Sequence, residues 1–221
     1  MIKLAVFDMD GTICNTIDDL AAATNYTLSV LGYPLHTTDE YKYFVGNGIA
    51  KLLERSLPEG NSSAEEVKEA REIFLSYYKE HFADKTVAYD GIIPLLKALK
   101  MAGIHTAVCT NKAHEMAKVI DSKLFYDLFD IVIGQSDEYP LKPDPTSLFN
   151  IMKNFGAKPQ ETVFIGDSDV DMRTAKNGKA IPIGVTWGFR TADELNTNGA
   201  EHLAHTPSDI LNIINNINDE V

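Results

Sequence analysis

An apolar run, Leu4-Ala5-Val6-Phe7, stops abruptly at Asp8-Met9-Asp10-Gly11-Thr12, and this junction constrains the fold more than any other stretch of the chain. Four apolar residues bounded by turn signals predict a buried strand, so the fold must deliver two carboxylates to a strand end. Side chains on a strand alternate faces, which points Asp8 and Asp10 the same way at close range. Each then disfavours ionisation of the other unless a cation or a shared proton relieves the pair, and a divalent metal is the simplest relief. Gly11 and Thr12 add a tight turn, backbone N–H groups and a hydroxyl, the equipment for holding an anion. A strand-end turn with capping acids explains the same residues, so the rest of the chain has to decide between the two.

After Ile13 the apolar period changes. Ile17, Leu20, Ala21, Thr24, Leu28 and Leu31 recur at three and four, which predicts an amphipathic helix with Asn15 or Thr16 as N-cap and Gly32 as its stop. Further helices are expected at 38–45, 49–56 and 64–82, broken by Gly46-Asn47-Gly48 and Leu57-Pro58-Glu59-Gly60-Asn61, with Ser63 and Glu66 as a capping box for the last. Residues 15–85 therefore read as a helical insertion. With 221 residues, one core domain carrying such an insertion suits the length.

From Gly91 onward helix and strand alternate. Helices are expected at 92–102, 112–123, 145–155 and 169–176, with strands at 104–109, 131–133, 163–165 and 180–185. A short strand is expected near 201–204, and Ser208 as cap of a last helix. Alternating units of this kind imply a parallel sheet covered on both faces, with ligands bound beyond the carboxyl ends of its strands. Those ends carry Asp8 and Asp10, Thr110-Asn111, the loop Leu141-Lys142-Pro143, and Gly166-Asp167-Ser168-Asp169-Val170-Asp171. Taken singly, Thr110 reads as a helix cap, Lys142 as a solvated lysine, and Asp167 with Asp171 as a cap and a first-turn acid. Appearing together at successive strand ends, they converge on one point.

Together they suit phosphoryl transfer. Magnesium takes hard oxygen ligands, usually one or two carboxylates plus a substrate phosphate; Asp8 and Asp167 supply carboxylates, the Asp10 carbonyl a third oxygen, and Asp171 supports them. Asp8 can attack phosphorus to give an aspartyl phosphate, and Asp10 can protonate the leaving oxygen and later activate water. Thr110 and Lys142 would hold the phosphoryl oxygens. Composition makes this lysine necessary: 20 basic against 32 acidic residues leave a net charge of −12, a field that repels an anionic substrate and argues against nucleic-acid or anionic-membrane partners. No secretory leader or membrane-length apolar run is apparent, and Cys14 and Cys109 lack metal-ligand spacing, so a cytoplasmic protein with two buried free thiols is expected.

The four motifs, Asp8-Met9-Asp10-Gly11-Thr12, Thr110-Asn111, Lys142-Pro143 and Gly166-Asp167-Ser168-Asp169-Val170-Asp171, resemble in order and spacing those of the haloacid dehalogenase superfamily. The resemblance implies an α/β fold: a Rossmann-like parallel sheet of strand order 3-2-1-4-5 with a helical cap after the first strand. It assigns 1–14 and 86–221 to the core and 15–85 to the cap. It makes Asp8 the nucleophile and Asp10 the acid/base, and the presence of Asp10 and Asp167 together implies a magnesium-dependent phosphatase or phosphomutase.

Within the small-cap subclass, Phe44-Val45-Gly46-Asn47-Gly48 with Leu52-Leu53-Glu54-Arg55, and Thr186-Trp187-Gly188-Phe189-Arg190 through Ala200-Glu201-His202-Leu203, resemble phosphoglycolate phosphatases. The implied activity is hydrolysis of a small anionic phosphorylated metabolite. A phosphomutase of the β-phosphoglucomutase type, a pyrophosphatase or a nucleotidase remain alternatives on the same scaffold, and a phospho-receiver switch is a non-enzymatic one. Gly11, Thr12 and Asn111 are expected at the phosphate. Gly46 and Asn47 open a helix whose free N–H groups could bind a small carboxylate, although a plain interhelix turn explains them equally. Lys42 and Lys51 are lysines of the type a phosphonatase needs but sit in no matching motif. Arg55 and Lys51 read as a solvated helix face, Arg190 as a surface arginine, and Trp187 as packing.

Overall fold

The computed structural model describes residues 1–126 and 128–219. Two compact units emerge from it: Met1–Cys14 with Ala88–Val221, and Asn15–Val87.

The first unit is built on a six-stranded sheet. In chain order its strands are β1 (Leu4–Phe7), β4 (His105–Ala113), β5 (Ile131–Gln135), β6 (Thr162–Gly166), β7 (Ile181–Val185) and β8 (His202–Ala204), while β2 (Cys14–Asn15) and β3 (Val87–Ala88) pair separately where the chain leaves and re-enters this unit. The spatial order is β5-β4-β1-β6-β7-β8, with every pairing parallel. Counted within the sheet that is 3-2-1-4-5-6: the expected doubly wound order, extended by the short strand near 201–204. β1 is central, and its four residues are fully buried, as a strand covered on both faces requires. Burying a side chain the size of Phe7 stabilises the fold by about 2–3 kcal/mol.

The helices of this unit are α5 (Ile92–Met101), α6 (His114–Ile120), α7 (Thr146–Phe155), α8 (Asp169–Gly178), α9 (Ala192–Thr197) and α10 (Pro207–Asp219). α7 lies against β1 and β4, α8 against β6 and β7, and α10 against α5 and β8. Leu4, Val6, Cys109, Ile133, Leu148, Ile151, Phe164 and Ala175 form one continuous core between sheet and helices. Both cysteines are buried and free.

Two local expectations are corrected here. The second sheet strand does not end at Cys109 but runs to Ala113, so α6 starts at His114 rather than 112. Cys109 is level with Ile133 and Ala113 with Gln135, so four residues of β4 span what two of β5 span, a bulge over Thr110-Asn111-Lys112. Gly134 makes room for it, since a Cβ there would lie 2.5 Å from the Lys112 carbonyl oxygen. The second correction is at α10: Ser208 is its second residue, and the Asp209 carboxylate accepts from the N–H groups of His205 and Thr206 at 2.9 and 2.8 Å. Pro207, with no N–H to satisfy, suits the first helical position.

The second unit is helical: α1 (Ile17–Leu31), α2 (Thr38–Phe44), α3 (Ile49–Ser56) and α4 (Ala64–His81). Thr16 holds the N-cap position of α1, but the Asn15 side chain accepts from the Ile17 N–H at 3.4 Å. Ser63 and Glu66 form the capping box of α4, and Thr37 with Glu40 forms another at α2. The buried Asp19 accepts from Lys85 N at 3.0 Å and from Thr86 N and Oγ1 at 2.9 and 2.7 Å, tying α1 to the segment after α4. Among the described residues no helix is long and apolar enough to cross a membrane.

Candidate functional site

Phe7 is level with Val108 on one side and Ile165 on the other, so Asp8–Asp10, Thr110–Lys112 and Asp167 all fall at one end of the sheet. The turn after β1 is closed on itself. Gly11 N–H donates to Cys14 O at 2.8 Å, and the N–H groups of Thr12, Ile13 and Cys14 all donate to Met9 O. The Thr12 hydroxyl donates to Asp167 Oδ1 at 3.0 Å. Gly11 and Thr12 thus shape the turn and orient an acid, and their N–H groups are engaged within the turn rather than offered to an anion.

Asp8, Asp167 and Asp171 present carboxylate oxygens within 4.8 Å of one another, and all three residues are buried. One ammonium serves two of them: Lys142 Nζ lies 2.8 Å from Asp8 Oδ1 and 2.6 Å from Asp171 Oδ1. Asp171 also completes a capping box at the start of α8, its Oδ2 accepting from Ser168 N and Oγ at 3.0 and 2.6 Å. Ser168, not Asp167, is the N-cap. Asp167 is instead gripped from two loops, by Thr12 and by Phe189 N–H at 2.7 Å.

Gly188 allows that second grip. A Cβ there would stand 2.3 Å from the Asp167 Cβ and 2.5 Å from the Gly11 carbonyl oxygen. The same loop corrects two expectations. Trp187 is more than packing, because its Nε1 donates to Thr12 O at 3.0 Å. Arg190 is buried rather than on the surface, and its Nε pairs with Glu194 at 3.2 Å. The sequence does not show the Trp187 contact, because it is set by how the loop folds back on the first turn, whereas Arg190 and Glu194 stand four residues apart and pair locally.

The Asp10 carboxylate stands apart from the three-acid cluster and pairs with Lys112, Nζ to Oδ1, at 3.0 Å. Sequence reasoning missed Lys112. Its only local signal was its place directly after Thr110-Asn111, and the bulge that aims it at Asp10 is set by the neighbouring strand. The bulge of β4 gives each of its three residues a task. Thr110 Oγ1 accepts from Lys112 N at 3.3 Å, and the Asn111 side chain clamps the Lys142 main chain, accepting from its N–H at 2.7 Å and donating to its carbonyl at 3.3 Å. Asn111 therefore positions the lysine through its Oδ1 and one of its two amide N–H groups.

Gly46 and Asn47 lie in the helical unit, between α2 and α3. Arg55, expected on a solvated face, fastens that loop by donating to Phe44 O at 3.0 Å and to Asn47 Oδ1 at 2.9 Å. Lys42 pairs with Asp39 and Lys51 with Glu54, each at 2.7 Å.

Three buried carboxylates facing one buried ammonium leave two negative charges uncompensated. Burial holds Asp8 up at about 7, opposed by Lys142 and reinforced by Asp171 and Asp10. Burial with the charges of Asp171 and Asp8 holds Asp167 at about 8. For Lys142 burial works toward a lower value, but Asp171 and Asp8 outweigh it and keep the ammonium protonated. An all-oxygen donor set with this charge deficit fits a hard divalent cation.

A pH dependence of stability follows. In the unfolded chain both carboxyls titrate from 3.8, so above that pH the metal-free native state holds protons that the unfolded chain has lost. Its stability therefore falls as pH rises toward 8. Thermal unfolding of chelator-treated protein is expected to show the Tm dropping between about pH 5 and pH 8, and excess magnesium is expected to flatten the slope. A metal-free Tm that holds constant or rises over that window contradicts the charge deficit.

A family model described as haloacid dehalogenase-like hydrolase matches residues 5–185. The phosphoglycolate phosphatase of Psychrobacter arcticus is 32% identical over 200 residues, covering 87% of this chain and 87% of its own. That of Colwellia psychrerythraea is 32% identical over 215 residues, covering 95% of each. A crystal structure from Lactobacillus delbrueckii subsp. bulgaricus, of a chain provisionally named a phosphoglycolate phosphatase, matches with a TM-score of 0.92 at 32% identity, over 96% of this chain and 98% of that one.

Proposed function

The chain belongs to the haloacid dehalogenase-like hydrolases and is a phosphatase of that family; from that premise we propose that it hydrolyses small phosphate monoesters, phosphoglycolate or a close analogue, with magnesium and through a phosphorylated Asp8. The observation that carries this reading is the buried cluster of Asp8, Asp167 and Asp171 with Lys142 as its counter-charge. A divalent cation offsets the two uncompensated charges there and, with Lys142, supplies the positive field that an anionic phosphoryl group needs.

Asp8 and Asp167, with the Asp10 main-chain carbonyl and Asp171 in support, would hold the magnesium ion. When bound, it neutralises charge on the phosphoryl oxygens and on Asp8. Lys142 does the same from the protein side, in a buried setting that strengthens its attraction for the phosphoryl group. Thr110 would contribute its hydroxyl to the phosphoryl oxygens.

In the first step an Asp8 oxygen bonds phosphorus, the bond to the ester oxygen breaks, and Asp10 gives that oxygen its proton. In the second, water attacks the aspartyl phosphate, Asp10 takes the water proton, and the bond to Asp8 breaks. Dividing one displacement into two lowers the barrier of each, and proton transfer by Asp10 is worth about 10²- to 10⁴-fold.

Phosphate release from a panel of phosphoglycolate, pyrophosphate, sugar phosphates and nucleotides tests the reading. Release with magnesium, greatest on phosphoglycolate and abolished by chelation, is expected. Interconversion of sugar phosphates without net release identifies a phosphomutase instead, preferential release from pyrophosphate or nucleotides reassigns the substrate, and a stable phosphoprotein without turnover identifies a receiver-like switch.

A further inference from the structure

The site contains two acids at the first strand end and two buried lysines, and the structure gives one lysine to each acid. Lys142 serves Asp8 at 2.8 Å, and Lys112 serves Asp10 at 3.0 Å. On the phosphatase reading above, we propose that Lys112 is a positioning residue for proton transfer: it anchors Asp10 Oδ1 so that Oδ2 is held toward the ester oxygen and, later, toward the attacking water.

Three observations carry this. The Asp10 side chain is 21% exposed while that of Lys112 is 3% exposed, so the acid sits at the wet edge of the site and its anchor is within. A carboxylate at such an edge rotates and exchanges hydrogen bonds with water unless it is held. A buried ammonium, whose desolvation is offset only by a close partner, holds it in one orientation. Second, Lys112 reaches Asp10 because of the bulge in β4, a local departure that re-aims a side chain; Gly134 on β5 leaves the space for it. Third, the bulge couples the two halves of the reaction. Its Asn111 holds the main chain of Lys142, which faces Asp8, and its Lys112 holds Asp10. Nucleophile and proton carrier are thereby set against each other by three consecutive residues. Displacing a catalytic group by about 1 Å can lower a rate by about a hundredfold.

A merely structural ion pair lowers turnover on every substrate alike. A positioning role for a general acid does not, because proton donation matters for an alkoxide leaving group and little for a nitrophenolate. The test is kcat/KM, which reports the steps up to loss of the leaving group, measured with magnesium on phosphoglycolate and on p-nitrophenyl phosphate. Lys112→Met is expected to lower kcat/KM on phosphoglycolate by about 10- to 100-fold, and to lower the ratio of the two values by about tenfold or more.

Lys112→Gln, which keeps a neutral donor and guards against loss of folding in the methionine variant, shifts the ratio in the same direction. Lys112→Arg recovers part of it. In an Asp10→Asn background, Lys112→Met shifts the ratio no further. Equal losses on both substrates, an unchanged ratio in both the methionine and glutamine variants, or a ratio shift that persists without the Asp10 carboxylate overturns the inference. A parent protein that releases phosphate from neither substrate overturns the phosphatase reading, and this inference with it.

Discussion

Asp8→Asn is expected to reduce phosphate release by roughly four orders of magnitude or more, to the detection limit, because the amide has the shape of the carboxylate without its nucleophilic charge. No phosphoenzyme should be trapped by acid quench with this variant. The loss should come without unfolding. Burial holds the Asp8 carboxyl well above the ordinary carboxylate range, with Asp171 and Asp10 adding to the effect against Lys142, so its anion is a strained guest in the metal-free protein. Lys142 keeps Asp171, at 2.6 Å, as a partner. The metal-free Tm of Asp8→Asn near neutral pH should therefore equal or exceed that of the parent, the sign opposite to that of a residue kept for stability. Turnover within about tenfold of the parent, where loss of a nucleophile predicts far more, would show that another group attacks phosphorus.

Lys142→Met reverses the stability outcome. Among the described residues its ammonium is the one cation within ion-pair range of Asp8 and Asp171, and it is buried with them. Methionine keeps most of the stem and removes the charge. Breaking a buried pair from one side typically costs 3–5 kcal/mol, so a loss of about 4 kcal/mol is expected for the metal-free variant near pH 8. The loss should shrink as the pH falls toward about 5, where the Asp8 carboxyl takes up a proton, and also on addition of magnesium. Activity should fall about a thousandfold even with magnesium saturating, since a preorganised cation at the developing phosphoryl charge is lost. Arginine should not restore it, because its planar fork does not fit the place of a point charge. Chemical denaturation at two pH values with and without magnesium, beside the phosphate-release assay, measures every part of this. Unchanged stability near pH 8 would mean that the three acids carry far less charge than their geometry implies.

Both outcomes depend on partners that the sequence leaves unassigned. Asp8, Asp10, Asp167 and Asp171 are four aspartates near strand ends, and hydrophobic runs with turn residues suffice to place them there. That much is local information: β1 is four apolar residues, α1 repeats at three and four, Ser63 meets Glu66 three residues on, and Gly32 and Gly156 stop their helices. Partner assignment is not local. Lys112 and Asp10 are 102 residues apart, Lys142 and Asp171 29, and Thr12 and Asp167 155.

The bulge in β4 marks the limit most clearly. Thr110-Asn111-Lys112 reads as a strand end followed by a helix start, and the register that prolongs the strand depends on Gly134 in the neighbouring strand. Arg55 shows the same limit. It is typical of a surface residue by type, and it is drawn in by acceptors that exist only once a loop has closed, Phe44 O and Asn47 Oδ1.

By itself, then, the sequence determined the kind of fold, the central strand and the acids delivered to its end, because hydrophobic period and turn chemistry act between near neighbours. The tertiary structure alone decided which lysine answers which acid and which aspartate grips which loop. It also decided how the Asp8–Asp10 pair is divided, one buried against Lys142 and one at the wet edge against Lys112. Those assignments rest on strand register and on the burial of charge, and both are properties of segments far apart in the chain that meet only when the sheet is complete.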